Sequence, residues 1–214
     1  MARNGSLSEE RLAELRTVAG DVSRETAERL IEFESLFRRW SARINLAASS
    51  QIDQLWGRHI LDSAQIVRFA SETRWIDLGS GGGFPGAVVA ILLRDRREFH
   101  IDLVESNRKK AAFLKTALAD YSCASVHPVR IEEAYAIVNS TQIVTARALA
   151  PLSDLLHLAA PWLAAGARGL FHKGRDYATE IREARDAWRF DLVEHRSMVD
   201  REGMILEIHS LGAR

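Results

Sequence analysis

The run Asp77-Leu78-Gly79-Ser80-Gly81-Gly82-Gly83-Phe84-Pro85-Gly86 is the part of this chain best suited to chemistry. Its glycines let the backbone turn tightly and approach a ligand with no Cβ in the way. Asp77 stands two places ahead of the first of them. Roughly twenty residues further on, Ile101-Asp102-Leu103-Val104-Glu105 ends an apolar run in a carboxylate. An acid just past the second strand can accept both hydroxyls of a ribose. A glycine loop and this acid together imply a ligand containing adenosine. Gly81, Gly83 and Gly86 also satisfy the dinucleotide spacing G-x-G-x-x-G, so the glycines alone do not decide which adenosine ligand is meant.

The elements that must hold these residues follow from the hydrophobic pattern. From Arg74 onward, short apolar runs read as strands at Trp75 to Leu78, Ile101 to Val104, Ser125 to Val129, Ile143 to Ala146 and Ala167 to Phe171. Helical periodicity fills Ala87 to Leu93, Lys109 to Tyr121 and Leu152 to Leu163. Such alternation predicts a parallel sheet covered on both faces, with a ligand crevice at its strand ends. Phe190 to Ser197 and Met204 to Leu211 read as two strands joined by Val199 to Gly203, a turn so short that they must be antiparallel. Before Ala70 only helices are expected. Ser6 and Glu9 have capping-box spacing ahead of a first helix. A longer amphipathic helix after Ser23 carries the stripe Leu30, Phe33, Phe37, Trp40 and Ile44, and shorter helices lie near Ile52 to Trp56 and Ile60 to Phe69. The expected fold is therefore α/β: a Rossmann-like doubly wound sheet, mostly parallel with a C-terminal antiparallel pair. Residues 1–70 form a helical extension and residues 71–214 the ligand-binding unit.

Bulk properties narrow the function. The chain of 214 residues has 29 basic and 29 acidic side chains, so any nucleic-acid contact must come from a local patch. The single cysteine, Cys123, excludes an internal disulfide and fits a reducing, cytoplasmic setting. The seven histidines are scattered without zinc spacing, so no metal is expected. No apolar run is long enough to span a membrane. Between the adenosine ligands, S-adenosylmethionine is favoured over NAD. Asp77 is placed as in methyltransferase loops, where the acid supports the loop and the ligand's charged end. No pyrophosphate has to be bound, so the loop tolerates Pro85, which lacks an amide donor. The closing antiparallel pair is also typical of class I methyltransferases. An NAD-dependent oxidoreductase is the alternative, although no Tyr-x-x-x-Lys pair is seen; a methyltransferase for another substrate is a second.

Four segments together resemble the bacterial small-subunit (16S) ribosomal RNA guanine-N7 methyltransferases, also called the glucose-inhibited division protein B family. They are Arg58-His59-Ile60-Leu61-Asp62-Ser63; the loop with Phe84-Pro85-Gly86; Leu103 to Lys110 with Phe113-Leu114; and Thr145-Ala146-Arg147-Ala148 with Lys173-Gly174. The resemblance runs from roughly Phe33 to Leu211. It implies methyl transfer from S-adenosylmethionine to N7 of a guanosine, with S-adenosylhomocysteine as product. Cofactor contacts are implied at Gly79 and Phe84, at Ile131-Glu132 beside the adenine, and at Arg147. Asp77, Gly81 and Glu105 join them from the loop reading. Arg147 ends the fourth strand, where its fork can hold cofactor, base or phosphate. Lys173 is a candidate phosphate contact, and His59 and Asp62, three apart, are expected to orient one another and seal the pocket. Guanine N7 carries a free lone pair, so no general base is assigned. The partner would be small-subunit ribosomal RNA or the small subunit itself, met by Arg38, Arg39, Arg43 and Arg58 and by Arg108, Lys109, Lys110 and Lys115.

Overall fold

A computed structural model describes residues 2–48 and 52–214, residues 2–7 as backbone only. Seven strands form one sheet: β1 Arg74–Leu78, β2 His100–Val104, β3 Ala124–His127, β4 Ile143–Arg147, β5 Arg168–Lys173, β6 Trp188–Arg196 and β7 Met204–Ala213. Their order is β3-β2-β1-β4-β5-β7-β6. β1 to β5 are parallel, while β7 pairs antiparallel with β5 and β6. The order reverses between β1 and β4, so the loops leaving these two strands diverge and open a crevice there.

Two helices precede the sheet, α1 (Ala2–Ala19) and α2 (Arg24–Ser41). α1 begins well before the expected capping box, so Ser6 does not start it, and the Ser6 side chain lies outside the described residues. α2 starts as expected, with the Ser23 hydroxyl accepting the Thr26 N–H at 3.1 Å. Its stripe reaches the core: Leu30, Phe33 and Phe37 are buried, with Trp40 and Ile44 packed against them. The two shorter helices expected next are largely one run, a π turn at Trp56–Leu61, an α turn at Asp62–Ala64 and a 3-10 turn at Gln65–Phe69.

In the sheet, α3 (Gly86–Leu92), α4 (Arg108–Ala117), α5 (Ile131–Ala134), α6 (Leu152–Ala164) and α7 (Tyr177–Ala187) follow β1 to β5 in turn. Strand alternation sorts side chains onto two faces. Ile101, Leu103, Ile143, Leu170 and Ile205 face the N-terminal helices together with α3 and α4. Ile76, Val144, Ala146, Phe171 and Leu206 face α6 and α7. The helices before Ala70 thus cover one face of the sheet. α7 was not anticipated from sequence; only Ile181 and Ala184 along it are buried, too thin a stripe to stand out. Among the described residues no helix is long and apolar enough to cross a membrane.

Candidate active site

The crevice between the ends of β1 and β4 is a cavity of about 550 Å³, the size of a cofactor site. The glycine loop forms its floor, the ends of β2 and β3 one side, and the β4 end the other. The Ser80 N–H donates to the Val104 carbonyl at 3.0 Å and the Gly83 N–H to the Ser80 carbonyl at 2.7 Å. Gly81 lines the cavity with φ +53°, a conformation that L side chains rarely adopt, and a Cβ there would meet only the Gly79 carbonyl oxygen, at 3.7 Å.

Glu105, 8% exposed, lies at the wall. Its Oε2 accepts the Gly81 N–H at 2.8 Å and its Oε1 the Asn107 N–H at 2.7 Å. The carboxylate therefore pins the glycine loop to the β2 end, and each oxygen keeps a lone pair for another donor. Asp77 sits deeper. It is fully buried beneath the loop and is not part of the cavity lining, so it supports the loop from below. Its Oδ2 accepts the Gly86 N–H at 3.1 Å and its Oδ1 the Thr145 hydroxyl at 2.9 Å. It ties β1 to β4 and to the start of α3. Burial pushes its carboxyl up to about 7, against the pull of those hydrogen bonds.

Of the other expected contacts, Gly79, Phe84, Ile131, Glu132, His59 and Arg147 all line the cavity. Leu46 and Ala47, from the chain after α2, line it too, in a stretch that carries no motif; so do Lys110, expected instead to meet RNA, and Arg130, next to the expected Ile131-Glu132 pair. Phe84 packs on Phe37 at 5.3 Å and on the His59 ring at 5.2 Å between centroids. The helical extension thus forms part of the wall.

Arg147 stands where three cavities meet, lining the glycine-loop cavity, a second one of about 420 Å³ and a third beside Arg58 and Asp200. Its Nε faces Asp62 Oδ2 at 3.3 Å and its Nη2 donates to the Arg58 carbonyl at 2.8 Å. His59 and Asp62, expected to orient one another, both line the third cavity, with no hydrogen bond between their side chains. The π turn carries His59 out of α-helical register with Asp62, and Asp62 turns to the sheet, accepting from Gln65 at 2.8 Å and Ser197 at 3.2 Å. His59 Nε2 has no partner among the described residues. Burial and the Arg147 charge hold its pKa down to about 4.

Lys173, the candidate phosphate contact, lines the second cavity with its ammonium already paired. Its ammonium is buried, donating to Glu180 Oε2 and the Ala150 carbonyl, both at 2.6 Å. Alternation along β5 sends it to the α7 side, opposite Arg147. Among the basic patches, Arg39, Arg43, Arg108, Lys109 and Lys115 are exposed. Arg38 instead donates to the buried Glu34, which also holds Arg11, and Arg58 lies 3.6 Å from Asp200.

Fold and crevice together define a class I methyltransferase architecture. The sheet is similar to that of the O-methyltransferase TomG from Streptomyces achromogenes in complex with SAM, at 14% identity and TM-score 0.55 over 86% of this chain and 90% of that one. Aeropyrum pernix fibrillarin with natively bound S-adenosyl-L-methionine matches at 18% identity and TM-score 0.51, over 64% and 66%. Both likenesses concern the fold. The family model described as rRNA small subunit methyltransferase G (GidB) matches residues 26–208. The ribosomal RNA small subunit methyltransferase G of Chelativorans sp. (strain BNC1) is 58% identical over 204 residues, 94% of this chain and 97% of the relative. That of Brucella suis biovar 1 is 57% identical, over 94% and 95%. The chain belongs to the rRNA small subunit methyltransferase G family, and this assignment displaces the NAD-dependent oxidoreductase as the reading of the glycine loop.

Proposed function

We propose that this protein transfers the methyl group of S-adenosylmethionine to N7 of a guanosine in small-subunit ribosomal RNA, in the cytoplasm. The observation that carries the reading is the crevice itself: a glycine loop pinned by a buried carboxylate at the switch point of the sheet, in a member of this family. The donor set fits the cofactor. Glu105 would accept ribose hydroxyls with the lone pairs left free by Gly81 and Asn107. Ile131 and Glu132, just past β3, would meet the adenine, its amide and carboxylate facing a ring nitrogen and the amino group. Gly79, Gly81 and Phe84 would lie along the methionine portion, with Asp77 holding the loop from below. S-adenosylmethionine brings an electrophilic methyl on sulfur.

The chain's own task is positioning and exclusion of water. Guanine N7 offers a lone pair without giving up a proton, so no residue is needed as a base. Arg147 at the cavity junction would orient the incoming nucleotide. A base stacked in a regular duplex does not reach a crevice at the strand ends, so the guanine must lie in a loop or be extruded. The helices before Ala70 act as a wall on the unit formed by 71–214, and the exposed Arg39, Arg43, Arg108, Lys109 and Lys115 would meet phosphates. Radiolabelled methyl transfer to small subunits and to a short perfect duplex tests this. Label should enter small-subunit RNA and fall as salt rises, because phosphate contacts release counterions. Equal, salt-independent labelling of the duplex would contradict it.

A further inference from the structure

The second cavity shares Arg147, Ala148 and Leu149 with the glycine-loop cavity, so a base seated in it would stand beside the methyl donor. Two of its polar groups are set in register. Arg147 and His172 are paired positions on neighbouring parallel strands, so their side chains leave the same face of the sheet. His172 is 7% exposed and lines this cavity. Its Nε2 lies 3.0 Å from the Asp62 carbonyl. A carbonyl only accepts, so Nε2 carries the proton and Nδ1 is left as a bare acceptor. Nδ1 has no partner among the described residues, and neither has Arg147 Nη1, a donor.

The neighbouring carboxylates are already engaged by protein donors. Asp62 serves Arg147, Gln65 and Ser197, and Glu180 serves Lys173 and the Leu152 N–H. Arg147 Nη1 and His172 Nδ1 are a donor and an acceptor that are buried without partners among the described residues, where leaving such groups unpaired is costly. Guanine offers their complement. O6 beside N7 accepts, while N1–H and the N2 amino group donate from the next edge. Adenine offers the reverse, a donor beside N7 and a bare N1, and would oppose both protein groups.

We propose that His172 is a specificity-determining residue: its Nδ1 accepts a hydrogen bond from the N1–H or N2 amino group of the target guanine while Arg147 Nη1 donates to O6. This rests on the guanine-N7 reading above. Lys173, the neighbour in sequence, also lines this cavity, but its ammonium is held by Glu180 Oε2 and the Ala150 carbonyl.

The test uses two variants and a modified RNA. His172→Gln keeps a donor near the Nε2 position and removes the acceptor at Nδ1, whereas His172→Asn returns an amide oxygen near Nδ1. His172→Gln should lower kcat/KM for the small subunit tenfold or more while the Kd for S-adenosylmethionine stays within twofold. His172→Asn should stay within about threefold of wild type, since the amide oxygen replaces the lost acceptor. Reconstituted subunits carrying 1-methylinosine at the modified position keep N7 and O6 but lack both donors. Wild type should methylate them tenfold or more slowly than the guanosine form, and His172→Gln should show no further loss on them. Wild-type rates for His172→Gln on guanosine would overturn the assignment. So would penalties that multiply between variant and analogue, or equal wild-type rates on the two RNAs, which needs no variant to fold. A wild-type protein that leaves guanosine N7 unmethylated in every subunit would instead overturn the parent reading, and this one with it.

Discussion

Replacing Glu105 by glutamine isolates what its carboxylate does, because the change is nearly isosteric. The two oxygens each accept one backbone N–H, from Gly81 at 2.8 Å and Asn107 at 2.7 Å. A glutamine has one acceptor oxygen and one amino group, so one of those N–H groups must face another donor. Losing one hydrogen bond to a charged group costs about 1.5–3 kcal/mol. For a chain of this size about 1 kcal/mol moves Tm by roughly 2–4 °C, giving a fall of about 3–12 °C. The ribose hydroxyls should lose a similar amount, weakening S-adenosylmethionine about 10- to 150-fold. Thermal melts without ligand and calorimetric titration with ligand read the two effects separately. An unmoved Tm would refute the pinning of the loop, and a Kd within twofold of wild type would refute the ribose contact.

Arg147→Lys keeps the charge beside Asp62 but loses the planar fork; methyl transfer should fall about 10- to 100-fold with the fold intact, and wild-type kinetics would remove Arg147 from the site. Lys173→Met strips the half-buried Glu180 carboxylate of its cation and should cost about 1–3 kcal/mol by urea unfolding, while the salt dependence of RNA binding stays unchanged; a shallower salt slope would restore Lys173 as a phosphate contact. The Asp77 carboxyl is raised to about 7 when folded, from an ordinary value of 3.8. Between those values the folded chain holds a proton that the unfolded chain has released, so this group's contribution to stability falls as pH rises from about 4 to 7. Asp77→Asn removes that dependence. Its stability should gain on wild type steadily through this window and level off above it, and parallel pH profiles for the two proteins would show that Asp77 stays ionised.

Much of the fold was legible because its signals are local. Glycines beside an apolar run, an acid at the end of the next run and a short turn between two late strands each carry their meaning in a few adjacent residues. Residues whose roles depend on register were not legible. Lys173 looked available because it follows an apolar run, yet the alternation that turns it toward Glu180 turns His172 toward Arg147. His59 and Asp62 have α-helical spacing, but a π turn separates them. Asp77 is legible as part of the loop but its depth is not: the sequence position is the same whether the carboxylate faces the ligand or, as here, Gly86 and Thr145. Arg38 reads as a free cation in the sequence, yet Glu34, one turn away and buried, bridges it to Arg11.

The central claim is that this crevice delivers a methyl group to guanine N7 in small-subunit RNA. Small subunits from cells lacking the family's activity, incubated with the pure protein and S-adenosylmethionine and then digested to nucleosides for mass spectrometry, put it to the most direct test. The account predicts one new nucleoside, N7-methylguanosine, formed in stoichiometric yield and absent when Glu105 is replaced by alanine at limiting cofactor. Methylation of another atom or another base, or none while the protein binds S-adenosylmethionine normally, would contradict it.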